Sequence, residues 1–360
     1  MKRLWIQVHL WLGLSLGVLG IFIGISGSVL VYDNEIDAWL NPRRYAVSGT
    51  QAALPYGEYV KRAAQALEGR ARPLNVRLPE AEGTPVVVLA REGRGGGAGG
   101  FTRLYLDPPT GKVLDAVPGG GFIGWVHAFH ENLTLREYMG REIVGLVGFA
   151  MLISSLSGIY LWWPARGRFG EALGARPGLR LSRNLHYLFG IYCAIVLAML
   201  SFTGIWLAYV DAGRAIVSVF STVAPRNVQA PEAAEGAKPV PLEEAIKTAQ
   251  ALYPGAPVAG FGLPAGPRGA YRVNFSVGGS TAPVSNAAVF VDPRSGAVLR
   301  NAGPATRSGG DNFLVMQRLL HAGDALGPVG RVLIFVTGLL PTLFVVTGTM
   351  MWLRKRGTLR

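Results

Sequence analysis

Residues 9–27 read HLWLGLSLGVLGIFIGISG, and residues 186–204 read HYLFGIYCAIVLAMLSFTG. Each stretch opens on a histidine, His9 or His186, and carries a glycine, Gly13 or Gly190, one turn later. Each ends in a Ser-Gly or Thr-Gly dipeptide, Ser26-Gly27 or Thr203-Gly204. A second pair of blocks behaves the same way. Gly140-Arg141 leads to Ser157-Gly158, and Gly330-Arg331 leads to Thr347-Gly348 at the same spacing. The polar segments between these blocks also match. Residues 56–67 align with 241–252, each with the period of an amphipathic helix. Residues 104–114 align with 289–299, each reading strand, Asp-Pro turn with glycine, strand. Four blocks matching in order imply a duplication: each half is a span, an α+β module and a second span.

The composition agrees with membrane insertion. Of 360 residues 50% are hydrophobic and 16% charged, against about 25% charged in a soluble domain. Apolar runs near 5–32, 143–163, 185–209 and 332–353 are each long enough to cross a bilayer, which takes about 20 residues. The cations in the short flanks fall on one side: Lys2, Arg3, Arg166, Arg168, Arg176, Arg180, Arg183, Arg354, Lys355, Arg356 and Arg360, with Glu171 the one acid among them. The positive-inside rule puts both termini and the short loop in the cytoplasm. The net charge of +13 therefore reports topology and lipid contact, and nucleic acid is not expected as a partner. Span one is too long for a signal-peptide core, and no A-x-A site follows it.

The expected fold class is a mainly α membrane protein. Four transmembrane helices form two parallel, pseudo-two-fold repeats, each with an inserted extracytoplasmic α+β module. The expected boundaries are span one, 1–32; module one, 33–121; interfacial helix and linker, 122–139; span two, 140–164; cytoplasmic loop, 165–184; span three, 185–210; module two, 211–312; interfacial helix and linker, 313–329; span four, 330–354; and a tail, 355–360.

The histidines carry the chemistry. Repeat symmetry puts His9 and His186 at one depth near the cytoplasmic face. It puts His130 and His321 at another near the outer face, with a one-residue offset in the linker. Two imidazoles facing each other suit the axial positions of one haem iron, so the expectation is two stacked b-type haems. His127 lies one turn from His130 and is the alternative ligand, although its repeat counterpart is near Arg318. A neutral imidazole ligand needs an acceptor for its second nitrogen, and the sequence does not name one. Arg141 and Arg331, at equivalent positions, suit haem propionates and equally suit snorkelling interfacial arginines. Gly13, Gly17, Gly20 and Gly24 form a small-residue seam fit for helix packing or for a flat macrocycle.

Other motifs carry less. The single cysteine, Cys193, excludes an intramolecular disulfide, a Cys-rich zinc site and covalent c-type haem. Gly95, Gly97 and Gly100 fit G-x-G-x-x-G, but a strand pattern follows where a nucleotide site needs a helix. Trp162, Trp163 and Trp352 read as an interfacial belt. The Asn132–Thr134 sequon is uninformative.

The His-x3-Gly blocks, the Gly-x-x-Gly-Arg block ending at Arg331 and the Ser-Gly-Ile-Tyr-Leu-Trp-Trp-Pro run ending at Pro164 resemble the PepSY-associated transmembrane family. The helix-plus-hairpin modules look like PepSY domains, although the Gly-rich loop at 93–100 is longer than a compact hairpin. The resemblance implies a haem-containing inner-membrane reductase acting on a periplasmic ferric siderophore or ferric chelate. His9, His130, His186 and His321 are the haem ligands it implies. The donor would be a separate molecule, a quinol or a reductase. Three rivals stand beside this. One is a PepSY-type binding or regulatory protein without redox activity. One is a haem electron carrier for another redox partner. The third, a transporter, is disfavoured by span centres almost free of charge.

Overall fold

The computed structural model describes residues 1–93, 100–163, 173–174, 180–232, 239–277 and 286–358. Gly95, Gly97, Pro164, Arg166, Arg168, Glu171, Arg176 and Arg360 lie outside the described residues. In chain order the elements are α1 (Lys2–Ser15), α2 (Gly17–Val31), α3 (Asp33–Leu40), α4 (Tyr56–Leu67), β1 (Ala71–Arg77), β2 (Val86–Glu92), β3 (Phe101–Leu106), β4 (Val113–Pro118), α5 (Gly121–Asn132), α6 (Gly140–Trp162), α7 (Leu181–Ala208), α8 (Val210–Phe220), α9 (Leu242–Gln250), β5 (Val258–Gly262), β6 (Tyr271–Ser276), β7 (Asn286–Val291), β8 (Val298–Ala302), α10 (Gly309–Ala322) and α11 (Gly327–Lys355). They fall into two compact units. One comprises Met1–Asp33, Val126–Val219 and Phe313–Arg360; the other comprises Asn34–Trp125 and Phe220–Asn312.

The first unit is helical. Among the described residues three helical runs are long and apolar enough to cross a membrane: Gly140–Trp162, Leu181–Ala208 and Asp324–Lys355. The run expected as the first span is two helices, α1 and α2, bent by 60° at Leu16; counted together they make a fourth. Close packing accompanies the break. A Cβ on Gly17 would sit 2.7 Å from Val345 Cγ2, so the Val345 side chain of α11 packs directly on the α2 backbone there. Gly24 and Gly338 continue the contact backbone to backbone, and Ser28 Oγ donates to the Phe335 carbonyl at 2.8 Å. Gly20 abuts Met151 of α6. Three glycines of the seam therefore serve helix packing. Gly13 has no atom within 4 Å of its Cβ position.

The second unit holds the strands. The two modules expected as separate inserts share one sheet of order β4-β3-β2-β1-β5-β6-β7-β8 among the described residues, antiparallel throughout. The halves join where β1 pairs with β5, with Asn75 opposite Gly262, Val76 opposite Phe261 and Arg77 opposite Gly260. Alternate residues of each strand point to one face: Val86, Val88 and Ala90 on β2, and Tyr271, Val273 and Phe275 on β6. Helices α4 and α9 cover that face with Tyr59, Ala63 and Leu67, and with Leu242, Ala245, Ile246 and Ala249. Each fully buried large side chain contributes about 1.5–3 kcal/mol. The two helices are tied to each other where Gly57 N–H donates to Glu243 Oε1 at 2.8 Å. Gly100 leads directly into β3, so the glycine cluster precedes a strand.

On the opposite side of this unit, buried Asp37 of α3 accepts from Arg44 at 2.7 Å and from the Tyr45 and Tyr105 hydroxyls at 3.0 Å each. Arg44 also donates to Asp115 at 2.7 Å. Removing one partner of a buried pair strands the other in low dielectric. We expect Asp37→Ala to cost about 3–5 kcal/mol, read by denaturant unfolding of the detergent-solubilised chain; a loss below 1 kcal/mol would show the cluster to be dispensable.

Asp107 and Asp292 close the equivalent turns before β4 and β8. Burial pushes both carboxyl pKa values up, but hydrogen bonds from Thr110 and Ser48, and from Ser295 and Arg294, outweigh it and hold both below the ordinary value. The folded pKa is thus the lower one. The carboxylates stabilise the fold above the unfolded value of about 3.9, and that stabilisation is lost as pH falls through the folded value. The double substitution Asp107→Asn, Asp292→Asn should flatten the pH dependence of unfolding below pH about 4. An unchanged slope would assign acid sensitivity elsewhere.

Candidate functional site

Four of the five histidines meet in two pairs within the helical unit. His9 of α1 and His186 of α7 have ring centroids 6.2 Å apart, and His130 of α5 and His321 of α10 have theirs 6.1 Å apart. An imidazole nitrogen bonds a first-row metal at about 2.0–2.1 Å and lies about 1.1 Å from its ring centre, so two imidazoles on opposite sides of one metal place their centroids about 6.3 Å apart. Both pairs fall at that separation. His127 is not brought into this arrangement; its Nε2 lies 3.6 Å from Asp33 Oδ2.

Each ring rests on a Ser/Thr-Gly dipeptide of a different helix. His9 Nδ1 is 3.0 Å from Ser157 Oγ, and His186 Nδ1 is 2.8 Å from Thr347 Oγ1. His321 Nδ1 is 2.9 Å from Thr203 Oγ1. His130 Nδ1 is 3.2 Å from Ser26 Oγ and 3.0 Å from the Ile23 carbonyl. In every case the contacting nitrogen is Nδ1, so Nε2 is the nitrogen left for a metal. The adjoining glycine clears the ring edge: a Cβ would lie 2.8 Å from His130 Cε1 at Gly27, 3.2 Å from His321 Cε1 at Gly204, 3.4 Å from His9 Cε1 at Gly158 and 3.6 Å from His186 Cε1 at Gly348.

These hydroxyls are the partners of the second ring nitrogen that sequence reasoning left unnamed. Their signal was present, because the four dipeptides are landmarks of the matching sequence blocks. The connectivity was hidden: Ser26-Gly27 lies in the same apolar run as His9 yet serves His130.

Helix α7 holds both ends of the arrangement. His186 lies in its first turns, and Thr203, which holds His321, lies near its end. Seventeen residues separate these positions, about 25 Å along a helix axis. This approaches the roughly 30 Å hydrocarbon thickness of a bilayer. The pairs thus stand at opposite ends of a span.

The donor set decides what each pair holds. Among the described residues no group of three or more His, Cys, Asp or Glu side chains converges on a point. Two imidazoles alone make a poor cage for a bare ion, but they complete a metal whose other positions are filled by a planar macrocycle. Beside the inner pair, Gly13 and Gly190 lie one turn after His9 and His186, on the same helix faces. Neither has an atom within 4 Å of its Cβ position, so a flat group has room there. The residues present fit haem.

The two arginines differ in their surroundings. Arg331 donates to the Val31 carbonyl at 3.1 and 2.6 Å and stacks 4.6 Å over Tyr32. Arg141 forms a longer, 3.7 Å pair with Glu131.

The ring clearances make a graded prediction. Gly27→Ala puts a methyl inside contact distance of His130 and should cost about 1–3 kcal/mol by overpacking. Gly348→Ala meets ordinary van der Waals distance and should be close to neutral. Thermal unfolding of the two variants checks this; equal losses would contradict the packing.

The sequence model of the family described as PepSY-associated TM region matches residues 6–355. No curated protein matches the chain.

Proposed function

The chain belongs to the PepSY-associated TM region family, and from that premise we propose that it is a di-haem transmembrane electron-transfer protein reducing a ferric siderophore or ferric chelate. The observation that carries this reading is the pair of His–His contacts at 6.2 and 6.1 Å, each ring with Nδ1 engaged. In this reading α1 and α2 together form one span, giving four spans as two parallel repeats. Both termini are cytoplasmic, the sheet unit is periplasmic, and the bilayer is the bacterial inner membrane. The basic flanks support that orientation.

His9 and His186 hold the cytoplasmic-side b-type haem; His130 and His321 hold the periplasmic-side one. Each bound haem supplies an iron that carries one electron at a time. The hydroxyls of Ser157, Thr347, Ser26 and Thr203 would orient the four rings toward such a group. The apolar side chains around them exclude water and hold the pairs in low dielectric. Arg331 is already committed to Val31 and Tyr32, which leaves Arg141 the better placed of the two for a propionate. A quinol or a separate reductase loses the electrons; a quinol gives up two, with two protons, and so serves two ferric ions. Each ferric ion gains one electron and becomes Fe(II), which hard oxygen chelators hold more weakly. No acid–base dyad is required at the acceptor.

The test is an absorbance spectrum of the detergent-purified chain, oxidised and then dithionite-reduced, with a haem-to-protein ratio. We expect reduced b-type bands and about two haems per chain, two bis-imidazole sites being available. His9→Ala or His321→Ala should each remove one haem, and His127→Ala should retain both. A chain that stays colourless in cells supplied with haem would overturn the reading and favour a PepSY-type binding protein.

A further inference from the structure

We infer that the four Ser/Thr-Gly dipeptides are positioning elements for the haem ligands: each hydroxyl fixes its histidine as the Nδ1–H tautomer, and the dependence on that hydroxyl is greatest at His186 and least at His130. This rests on the haem reading above.

The tautomer follows from where the hydroxyl hydrogens go. Ser26 Oγ lies 2.8 Å from the Phe22 carbonyl, Thr203 Oγ1 2.8 Å from Met199, Thr347 Oγ1 2.6 Å from Leu343 and Ser157 Oγ 3.1 Å from Ser154. A carbonyl only accepts, so each hydroxyl donates its hydrogen back along its own helix. Its lone pair then faces the imidazole and accepts. Nδ1 must therefore carry the ring hydrogen, and Nε2 carries the lone pair that binds metal. Four rings on four different helices share this polarity, so no ring can turn its protonated nitrogen towards the metal without leaving a buried donor unmatched. Outer partners of this kind also raise the electron density of the ligand and orient it.

The four sites are not equal. His130 has two acceptors, and the Ile23 carbonyl at 3.0 Å is nearer than Ser26 at 3.2 Å. Loss of the Ser26 hydroxyl leaves that carbonyl in place. His186 has the shortest hydroxyl contact of the four, 2.8 Å to Thr347, and its ring otherwise meets Phe344 edge-on with centroids 5.4 Å apart. Loss of the Thr347 hydroxyl leaves Nδ1–H facing hydrocarbon. His9 and His321 also have a backbone partner, at Ser154 and Leu200, so His186 is the one ring of the four that rests on its hydroxyl without one.

The experiment compares Thr347→Ala, Thr347→Ser and Ser26→Ala in the full chain. Haem occupancy is measured for each, and spectroelectrochemical titration gives the midpoint potentials. His130→Ala isolates the inner wave and His9→Ala the outer one. We expect Thr347→Ala to weaken inner-haem retention about 10–100-fold and to raise the inner potential, because a less electron-rich ligand stabilises ferric iron less. Thr347→Ser, which restores only the hydroxyl, should recover both. Ser26→Ala should leave the outer haem at wild-type occupancy and potential. The inference is overturned if Thr347→Ala keeps the wild-type potential, if serine does no better than alanine, or if Ser26→Ala shifts its haem as far as Thr347→Ala does. A wild-type preparation without haem sinks the haem reading itself, and that result is in hand before any variant is compared.

Discussion

A buried imidazole must find a partner for its ring N–H, and inside a bundle of apolar helices few partners exist. An unmatched donor there costs about 1–3 kcal/mol. Most backbone carbonyls are consumed by the helices, so each ring meets a hydroxyl one helix away, joined at His130 by the Ile23 carbonyl. The glycine after the hydroxyl keeps the ring edge clear, most tightly at Gly27 and Gly204 and with room to spare at Gly348. Helix pairing in this unit follows the same contacts: α1 lies on α6 and α7 on α11, the pairs that bring His9 to Ser157 and His186 to Thr347.

The same requirement for small residues shapes the first span. Gly17 and Gly24 let α2 lie against α11 closely enough for Ser28 to reach the Phe335 carbonyl. In lipid such contacts draw on packing and hydrogen bonding, because the surrounding tails remove most of the hydrophobic drive for helix association. Helix α1 has a different task, carrying His9 to α6. The two helices are bent by 60° at Leu16. Helix α2 also meets α6, where Gly20 lies against Met151.

Much of this was legible in the sequence, and the limits have physical causes. The histidine pairing could be read because His9 and His186, and His130 and His321, hold matching places in matching sequence blocks. The helices 56–67 and 241–252 and the turns at Asp107 and Asp292 follow from periodicity and turn chemistry, which are local. The bend at Leu16 was not legible, because no proline interrupts the run and glycine is ordinary in membrane helices. The single sheet was not legible either. Its joint, β1 on β5, is a backbone ladder between segments far apart in sequence, and the residues there, such as Val76 opposite Phe261, look like any buried strand. Repeat symmetry also overstated the likeness of Arg141 and Arg331: only Arg331 meets a helix-end carbonyl and an aromatic ring. His127 and His130 share a helix face, and the choice between them rests on which ring meets His321.

The count of donors at each pair bears on the kind of chemistry the chain performs. A cluster of three or four ligands around one point makes a Lewis acid or a structural ion site, in which the protein supplies the coordination sphere. Two imidazoles supply only part of a coordination sphere, so a guest would have to bring the rest, and the proposed function takes that guest to be a haem. On that proposal the chain's own contribution at each pair ends with the two rings, and an electron acceptor would be met beyond the histidines. On the same proposal two such pairs at opposite ends of α7, about 25 Å apart by helix rise, would be stations on a path across the bilayer, and a single one would leave most of that thickness uncrossed.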